Sequence, residues 1–430
     1  MLTEIKNKKT IFITALGSLL EWYDFSIYTL LMPIMTIIFF TNKTPFISLM
    51  ITYFVFAIAY VIRPLSGIVF SHMGDRLGRK VILSTTTKLM CLPMLVIALL
   101  PTNPRFNILA ICILFIMRAI QGFAVGGEYS GVIVMLLEQA PKKHTVLVTS
   151  MAGILADSGI WLCAITINLL TKLLSNAHML SWGWRIPFII GFIIALWSYH
   201  LQKKLHESPA FNSIKKKNKI LRQPFKHLLT HYLKEISYSI ILWASNISLF
   251  FTAMAYLPSY LIKIRHFPKT EIFSMIATVG LIHIVIFPIA AFSIDKMKRK
   301  TALLIYLLLN IFSIYPLFLL LMHNNIADIT LSFCLLVVLY AIGYPVASAT
   351  SAELFPVEVR YSGVALGSNL ASVLFGAFTP IIITLLIHLT HHEIIAAFYL
   401  IMLSVIALFS TLKIFSTEST SFQTSRSEHG

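Results

Sequence analysis

Charge is what this sequence has least of. Asp, Glu, Lys and Arg make up 12% of the 430 residues, while 57% are hydrophobic. An ordinary soluble domain carries about 25% charged residues. Cysteine is scarce too. Cys91, Cys112, Cys163 and Cys334 all fall in apolar segments without metal-ligand spacing and read as small core residues. No metal site and no cofactor are expected. The chain also lacks a G-x-x-x-x-G-K-[ST] loop, a G-x-S-x-G elbow and an H-E-x-x-H pair. These absences argue against an enzyme and against an ATP-driven pump with its own nucleotide-binding domain. Acidic residues number 17 against 34 basic ones, for a net charge of +17. That excess invites a nucleic-acid reading, but the positions of the charges oppose it. Lys and Arg gather in alternate loops, the pattern that orients membrane proteins.

What is present is a succession of apolar runs of membrane-spanning length, with mean hydropathy +0.83. The expected class is an all-α, multi-pass membrane protein. Twelve spans are expected, at 11–40, 46–72, 81–100, 107–138, 145–173, 183–203, 236–262, 270–293, 301–322, 328–353, 361–390 and 394–413. The first run exceeds a signal-peptide core and has no small-residue cleavage site, so it reads as a retained helix. An even number of spans puts both ends on one side. Lys6, Lys8 and Lys9, the 76–80 loop, Lys142 and Lys143, the 203–235 segment, the 296–300 loop, Arg360 and the tail would share that side. Most of the Lys and Arg residues are there, which makes it the cytoplasmic side of a plasma (bacterial inner) membrane. The expected organisation is a six-helix bundle over 1–202, a basic linker over 203–235, a second six-helix bundle over 236–413 and a tail over 414–430. The linker carries Lys215, Lys216, Lys217, Lys219, Arg222 and Lys226. It reads as a solvated segment that meets anionic headgroups.

An internal repeat supports two halves. Gly74-Asp75-Arg76-Leu77-Gly78-Arg79-Lys80 joins spans two and three, and Ile294-Asp295-Lys296-Met297-Lys298-Arg299-Lys300 joins spans eight and nine. The second copy has lost both glycines. Glu138-x-x-Pro141 is echoed by Glu353-x-x-Pro356. Parallel six-helix repeats are a transporter architecture, with the site between the halves.

The first span holds Glu21-Trp22-Tyr23-Asp24-Phe25. An ionisable side chain at mid-membrane costs roughly 2.5–3.5 kcal/mol and is usually functional. Thr14, Gly17, Glu21, Asp24 and Tyr28 recur at helical spacing and form a polar stripe fit to line an aqueous path. Arg118 falls near the middle of span four at 1.5 Å per residue. It keeps its proton and needs an anion. Gln121 and Glu128 lie within about 80° of it on the helical wheel.

The Gly74–Lys80 loop, its degenerate copy and the six-plus-six layout resemble the major facilitator superfamily. Further motifs are similar to its metabolite:proton symporter family, which includes proline/betaine, 2-oxoglutarate, citrate and shikimate carriers. They are the Glu21–Phe25 cluster, Arg63-Pro64, Arg118-x-x-Gln121-Gly122-x-x-x-Gly126-Gly127-Glu128, Trp182-Gly-Trp-Arg185-Ile-Pro187, Glu207-Ser-Pro209 and Glu353-Leu-Phe-Pro356-x-x-Val-Arg360-Tyr-Ser-Gly363. The resemblance covers nearly the whole chain. Asp157-Ser158-Gly159 resembles the proline/betaine branch, and span five lacks the Gly-Pro signature of the superfamily's antiporters. Ser71 departs from the loop pattern, and the tail lacks the coiled-coil heptads of some osmosensory members.

The resemblance makes spans one and four neighbours, so Glu21 or Asp24 is the expected partner of Arg118. Two readings stand: a proton-carrying carboxylate beside an Arg that meets a substrate carboxylate, or an ion pair that holds two helices together. Candidate proton-coupling residues are Asp24, Glu21, Arg118 and Glu128. Candidate substrate contacts are Arg118, Gln121, Asp157, Asn246 and Tyr344. Tyr340, Tyr344 and Pro345 form either an aromatic wall with a kink or ordinary core. His283 reads first as a packing residue, and Arg63 and Lys88 as snorkelling or locally paired cations. The resemblance implies gating roles for Asp75, Arg76, Gly78, Arg79, Lys80, Asp295, Arg299, Glu353 and Arg360. The expected function is proton-coupled import of a small zwitterion such as proline or glycine betaine, by a monomer whose partners are substrate, protons and lipid. The alternatives are a di- or tricarboxylate symporter and a nutrient sensor without flux.

Overall fold

The structure, a computed structural model, describes residues 8–39 and 45–416. Lys6, Lys43 and the tail beyond 416 lie outside the described residues. Twelve long helices account for most of what is described. They are α1 (Lys8–Phe39), α2 (Pro45–Leu77), α3 (Arg79–Ala98), α4 (Asn107–Gln139), α5 (Thr145–Leu173) and α6 (Arg185–Lys203). After two short helices follow α7 (Leu233–Ile262), α8 (Lys269–Asp295), α9 (Arg299–Leu321), α10 (Ile326–Glu353), α11 (Arg360–Thr390) and α12 (Ile395–Ser416). Ten of them, α3 to α12 (with α8 counted from Ser274), are long and apolar enough to cross a membrane by length and composition. A bilayer core of about 30 Å needs roughly 20 helical residues, so the 32-residue α1 must tilt or protrude. Many large apolar side chains point outward, Ile108 at 81% and Phe312 at 74% exposure among them. In water such a surface would drive aggregation; facing lipid it is at equilibrium.

Contacts divide the chain into two units: residues 1–139 with 151–225, and residues 140–150 with 226–430. The division falls inside the 203–235 segment rather than at its ends, and the start of α5 groups with the second unit. Local contacts give the reason in both cases. Ser208 caps the short helix Pro209–Lys216 by accepting from the Phe211 amide, and Phe211 and Ile214 are buried. This stretch is folded onto the first unit, not merely solvated. In the second unit the Asp295 carboxylate accepts from the Val146 and Leu147 amides at 2.7 and 3.0 Å and so caps α5.

Within the first unit α4 packs against α2, α3 and α1, and α6 against α3 and α1. The α2–α4 seam depends on two glycines one turn apart. A Cβ on Gly122 would overlap the Ala59 carbonyl and lie 2.5 Å from its Cα, and one on Gly126 would overlap Ser66 and the Arg63 carbonyl. Small residues at this spacing let helix backbones meet in lipid. Gly122→Val should therefore cost more than the about 1–3 kcal/mol of ordinary overpacking, because backbone cannot yield as a side chain can. The check is the melting temperature of the detergent-purified protein, which should fall clearly below wild type. In the second unit α7 packs with α10, α11 and α12, and α9 with α10 and α12. Proline lies inside α2, α3, α8, α9 and α10 (Pro64, Pro93, Pro288, Pro316 and Pro345) without ending any of them. Lipid-embedded helices tolerate this when neighbours satisfy the freed carbonyl.

Candidate functional site

The polar stripe of α1 is buried in the first unit. Glu21 is 1% and Asp24 2% exposed, and Arg118 on α4 is 1% exposed. Arg118 reaches neither carboxylate directly, contrary to the expectation that one of them would be its partner. Its Nη1 donates to Gln121 Oε1 at 3.0 Å, and Gln121 Nε2 donates to Asp24 Oδ1 at 2.5 Å. The amide of Gln121, one helical turn from Arg118, stands between cation and anion. The Tyr28 ring lies under the guanidinium, 4.6 Å from Cζ to ring centroid. Arg118 Nε and Nη2 have no hydrogen-bond partner among the described residues. These two nitrogens form one edge of the guanidinium, the edge that grips a carboxylate with two parallel hydrogen bonds.

Glu21 instead pairs with Arg63 of α2, Nη2 to Oε1 at 2.9 Å. Local pairing was one of two readings for Arg63; the partner could not be read, because it sits on another helix. The charge balance changes with it, since Glu21 no longer counts as surplus acid near Arg118. Asp157 on α5 is buried in the same unit. Gly159 brings α5 onto α1, where a Cβ would overlap the Leu19 carbonyl.

Glu128 lies further along α4, fully buried. Thr86 Oγ1 bonds its Oε2; Thr87 Oγ1 (3.0 Å) and Gln202 Nε2 (3.3 Å) bond its Oε1. Its carboxyl fills the space that a side chain on Gly17 would occupy. Thr86, Thr87 and Gln202 escape sequence reasoning because single hydroxyls and amides in apolar runs are unremarkable.

In the second unit Asn246 is fully buried, its Nδ2 donating to the Tyr340 carbonyl at 3.2 Å. Tyr340 and Tyr344 belong to an aromatic group. Tyr344 meets Trp243 (5.5 Å between ring centroids) and Phe287 (5.3 Å) edge to face, and His283 stacks on Tyr340 at 5.4 Å. The rings come from α7, α8 and α10.

The loop motifs are built into two charge clusters, one in each unit. In the first, Arg79 is fully buried, with Glu138 at 3.1 Å, Asp75 at 3.4 Å and the Phe211 ring at 4.9 Å. Gly78, at φ 110°, turns α2 into α3. The Glu207 carboxylate accepts from the Arg79 and Lys80 amides at 3.1 and 3.2 Å, capping α3. Burial pushes the Glu207 carboxyl up from its ordinary range, against these hydrogen bonds and the nearby Arg79. Arg76 is exposed. In the second unit Arg299 pairs with Glu353 at 3.2 Å and also bonds Thr145, and Arg360 Nε donates to the Phe355 carbonyl at 3.0 Å. The degenerate copy thus keeps an acid on a helix start and an ion pair without its glycines.

Known proteins match over most of this length. The chain is 29% identical over 415 residues to the glycine betaine/proline/ectoine/pipecolic acid transporter OusA of Dickeya dadantii (strain 3937), covering 94% of this chain and 82% of that protein. It is 28% identical over 413 residues to the proline/betaine transporter of Escherichia coli (strain K12), with 94% and 82% coverage. Among solved structures it resembles the proton:xylose symporter XylE bound to 6-bromo-6-deoxy-D-glucose. There the TM-score is 0.78 at 19% identity, with 94% of this chain and 95% of that one covered. The protein is a multi-pass membrane transporter, not an enzyme. The model of the family described as the Major Facilitator Superfamily matches residues 14–380, and the chain belongs to that family.

Proposed function

We propose that this transporter is a proton-coupled symporter that imports a small zwitterion of the proline or glycine betaine type across a bacterial inner membrane, with both termini cytoplasmic. The observation that carries the reading is the Nε/Nη2 edge of Arg118, without a hydrogen-bond partner among the described residues, beside the Gln121–Asp24 link. A substrate carboxylate takes that edge in two parallel hydrogen bonds. Asp24 carries the proton. While charged, it holds Gln121 and, through it, the guanidinium. Protonation removes the charge to which Gln121 Nε2 donates and loosens that hold. Substrate and proton thereby act on one guanidinium from its two sides. The names of the relatives point to the same substrates.

The test is uptake of labelled proline, glycine betaine and 2-oxoglutarate into proteoliposomes, with and without an inward proton gradient. Gradient-driven uptake of a zwitterion supports the reading. Preference for 2-oxoglutarate moves the protein to the carboxylate carriers. Absence of gradient-driven uptake of all three would overturn the reading and send the substrate search to other solutes.

A further inference from the structure

Three carboxyl groups of the first unit lie along the α1 stripe or against it, and their surroundings differ in kind. Glu21 has the Arg63 guanidinium at 2.9 Å. Asp24 has Arg118 behind Gln121. Glu128 has no cation within ion-pair distance among the described residues, and its neighbours are neutral hydroxyls, an amide and the bare backbone of Gly17. The nearest charge on α1 is Glu21, of the same sign, and the titratable group facing Glu128 from α3 is the thiol of Cys91. Lys88 on α3 points outward.

The hydrogen atoms can be counted. Thr86 Oγ1 lies 2.9 Å from the Ile82 carbonyl and 3.0 Å from the Leu83 carbonyl, and Thr87 Oγ1 lies 2.8 Å from Gln202 Oε1. Each hydroxyl has one proton. The Thr87 proton goes to Gln202 Oε1, which has no other hydrogen-bond donor among the described residues. The Thr86 proton has its own helix carbonyls to serve. The Thr87 hydroxyl therefore turns a lone pair toward the Glu128 carboxyl, and the Thr86 hydroxyl does the same whenever its proton lies on a helix carbonyl. An ionised Glu128 would have at most one neutral donor on each oxygen and no counter-charge in a lipid-embedded interior. A neutral Glu128 completes the set. Its O–H donates to a threonine oxygen, Gln202 Nε2 donates to its carbonyl oxygen, Thr87 donates to Gln202, and Thr86 bonds back to its helix.

We propose that Glu128 is held as a neutral carboxylic acid through the transport cycle, a positioning residue that ties α4 to α3 and α6 beneath Gly17, and that the coupled proton resides elsewhere. This departs from the coupling role first considered for Glu128. It rests on the functional reading above only in its last clause.

Infrared difference spectra of purified wild type against Glu128→Gln test it directly. The expected result is a carbonyl stretch of a protonated, buried carboxylic acid, present from mildly acidic to mildly alkaline pH and missing in Glu128→Gln. A band that titrates away within that range, or an ionised carboxylate signal throughout, would overturn the proposal. A second arm measures melting temperature. Glutamine donates and accepts as the neutral acid does, so Glu128→Gln should melt with wild type and Glu128→Ala well below it. Equal losses in both variants would also overturn it. Neither arm needs transport, so failure of the symport reading would show separately, as wild type that moves no zwitterion.

Discussion

Asp24→Asn is expected to abolish concentrative uptake while leaving exchange intact. Asn keeps an oxygen for Gln121 Nε2, which now donates to Asp24 Oδ1 at 2.5 Å, so the Gln121–Arg118 contact survives. What disappears is the carboxyl proposed to take the coupled proton. One proton moving inward down 100 mV supplies about 2.3 kcal/mol, which corresponds to roughly 50-fold accumulation. In proteoliposomes carrying an inward gradient the variant should therefore only equilibrate its substrate. Counterflow of labelled against unlabelled substrate needs no net proton movement and should proceed near the wild-type rate. Loss of counterflow along with accumulation would assign Asp24 to binding or folding instead. Retained accumulation would place the proton on another group.

Arg118→Lys tests the other side of the link. Lysine keeps the charge but presents a single ammonium where the guanidinium presents a planar edge. The Nε/Nη2 edge, without a partner among the described residues, is lost, and with it the paired hydrogen bonds proposed for the substrate carboxylate. Hydrogen bonds to charged groups contribute about 1.5–3 kcal/mol, so substrate affinity should fall roughly 10- to 100-fold. The measurement is the apparent KM for uptake and the Kd of the detergent-purified protein by calorimetry. Both should rise together, with the melting temperature little changed because the charge near Asp24 is kept. An unchanged Kd would mean that the carboxylate docks elsewhere.

The all-helical, multi-pass fold was legible because the long apolar runs sit in the chain itself. The α1 stripe was legible too, since one helix carries all of it. Contacts set by packing between helices were not. Arg63 looks unattached in its own run, and only the approach of α2 to α1 supplies Glu21. Gln121 was placed on the Arg118 face, yet its position between Arg118 and Asp24 depends on the α1–α4 distance. Lysines dominate the 203–235 segment as a sequence. Phe211 and Ile214, three apart on a short helix, are the residues it buries, a weaker signal beside that charge.

The glycine seam between α2 and α4 has a mechanical consequence. Arg63 rides on α2 and Arg118 on α4, and with backbone against backbone at Gly122 and Gly126 neither helix can slide past the other without collision. The two cations therefore form a rigid fork. The carboxylates that answer them, Glu21 and Asp24, both ride on α1, less than one turn apart. A small rotation of α1 against the fork moves both acids at once, so the Glu21–Arg63 pair and the Asp24–Gln121–Arg118 link are geared together. Any force that frees Asp24 by turning α1 must also work against the Glu21–Arg63 bond, which acts as the return spring of the first bundle.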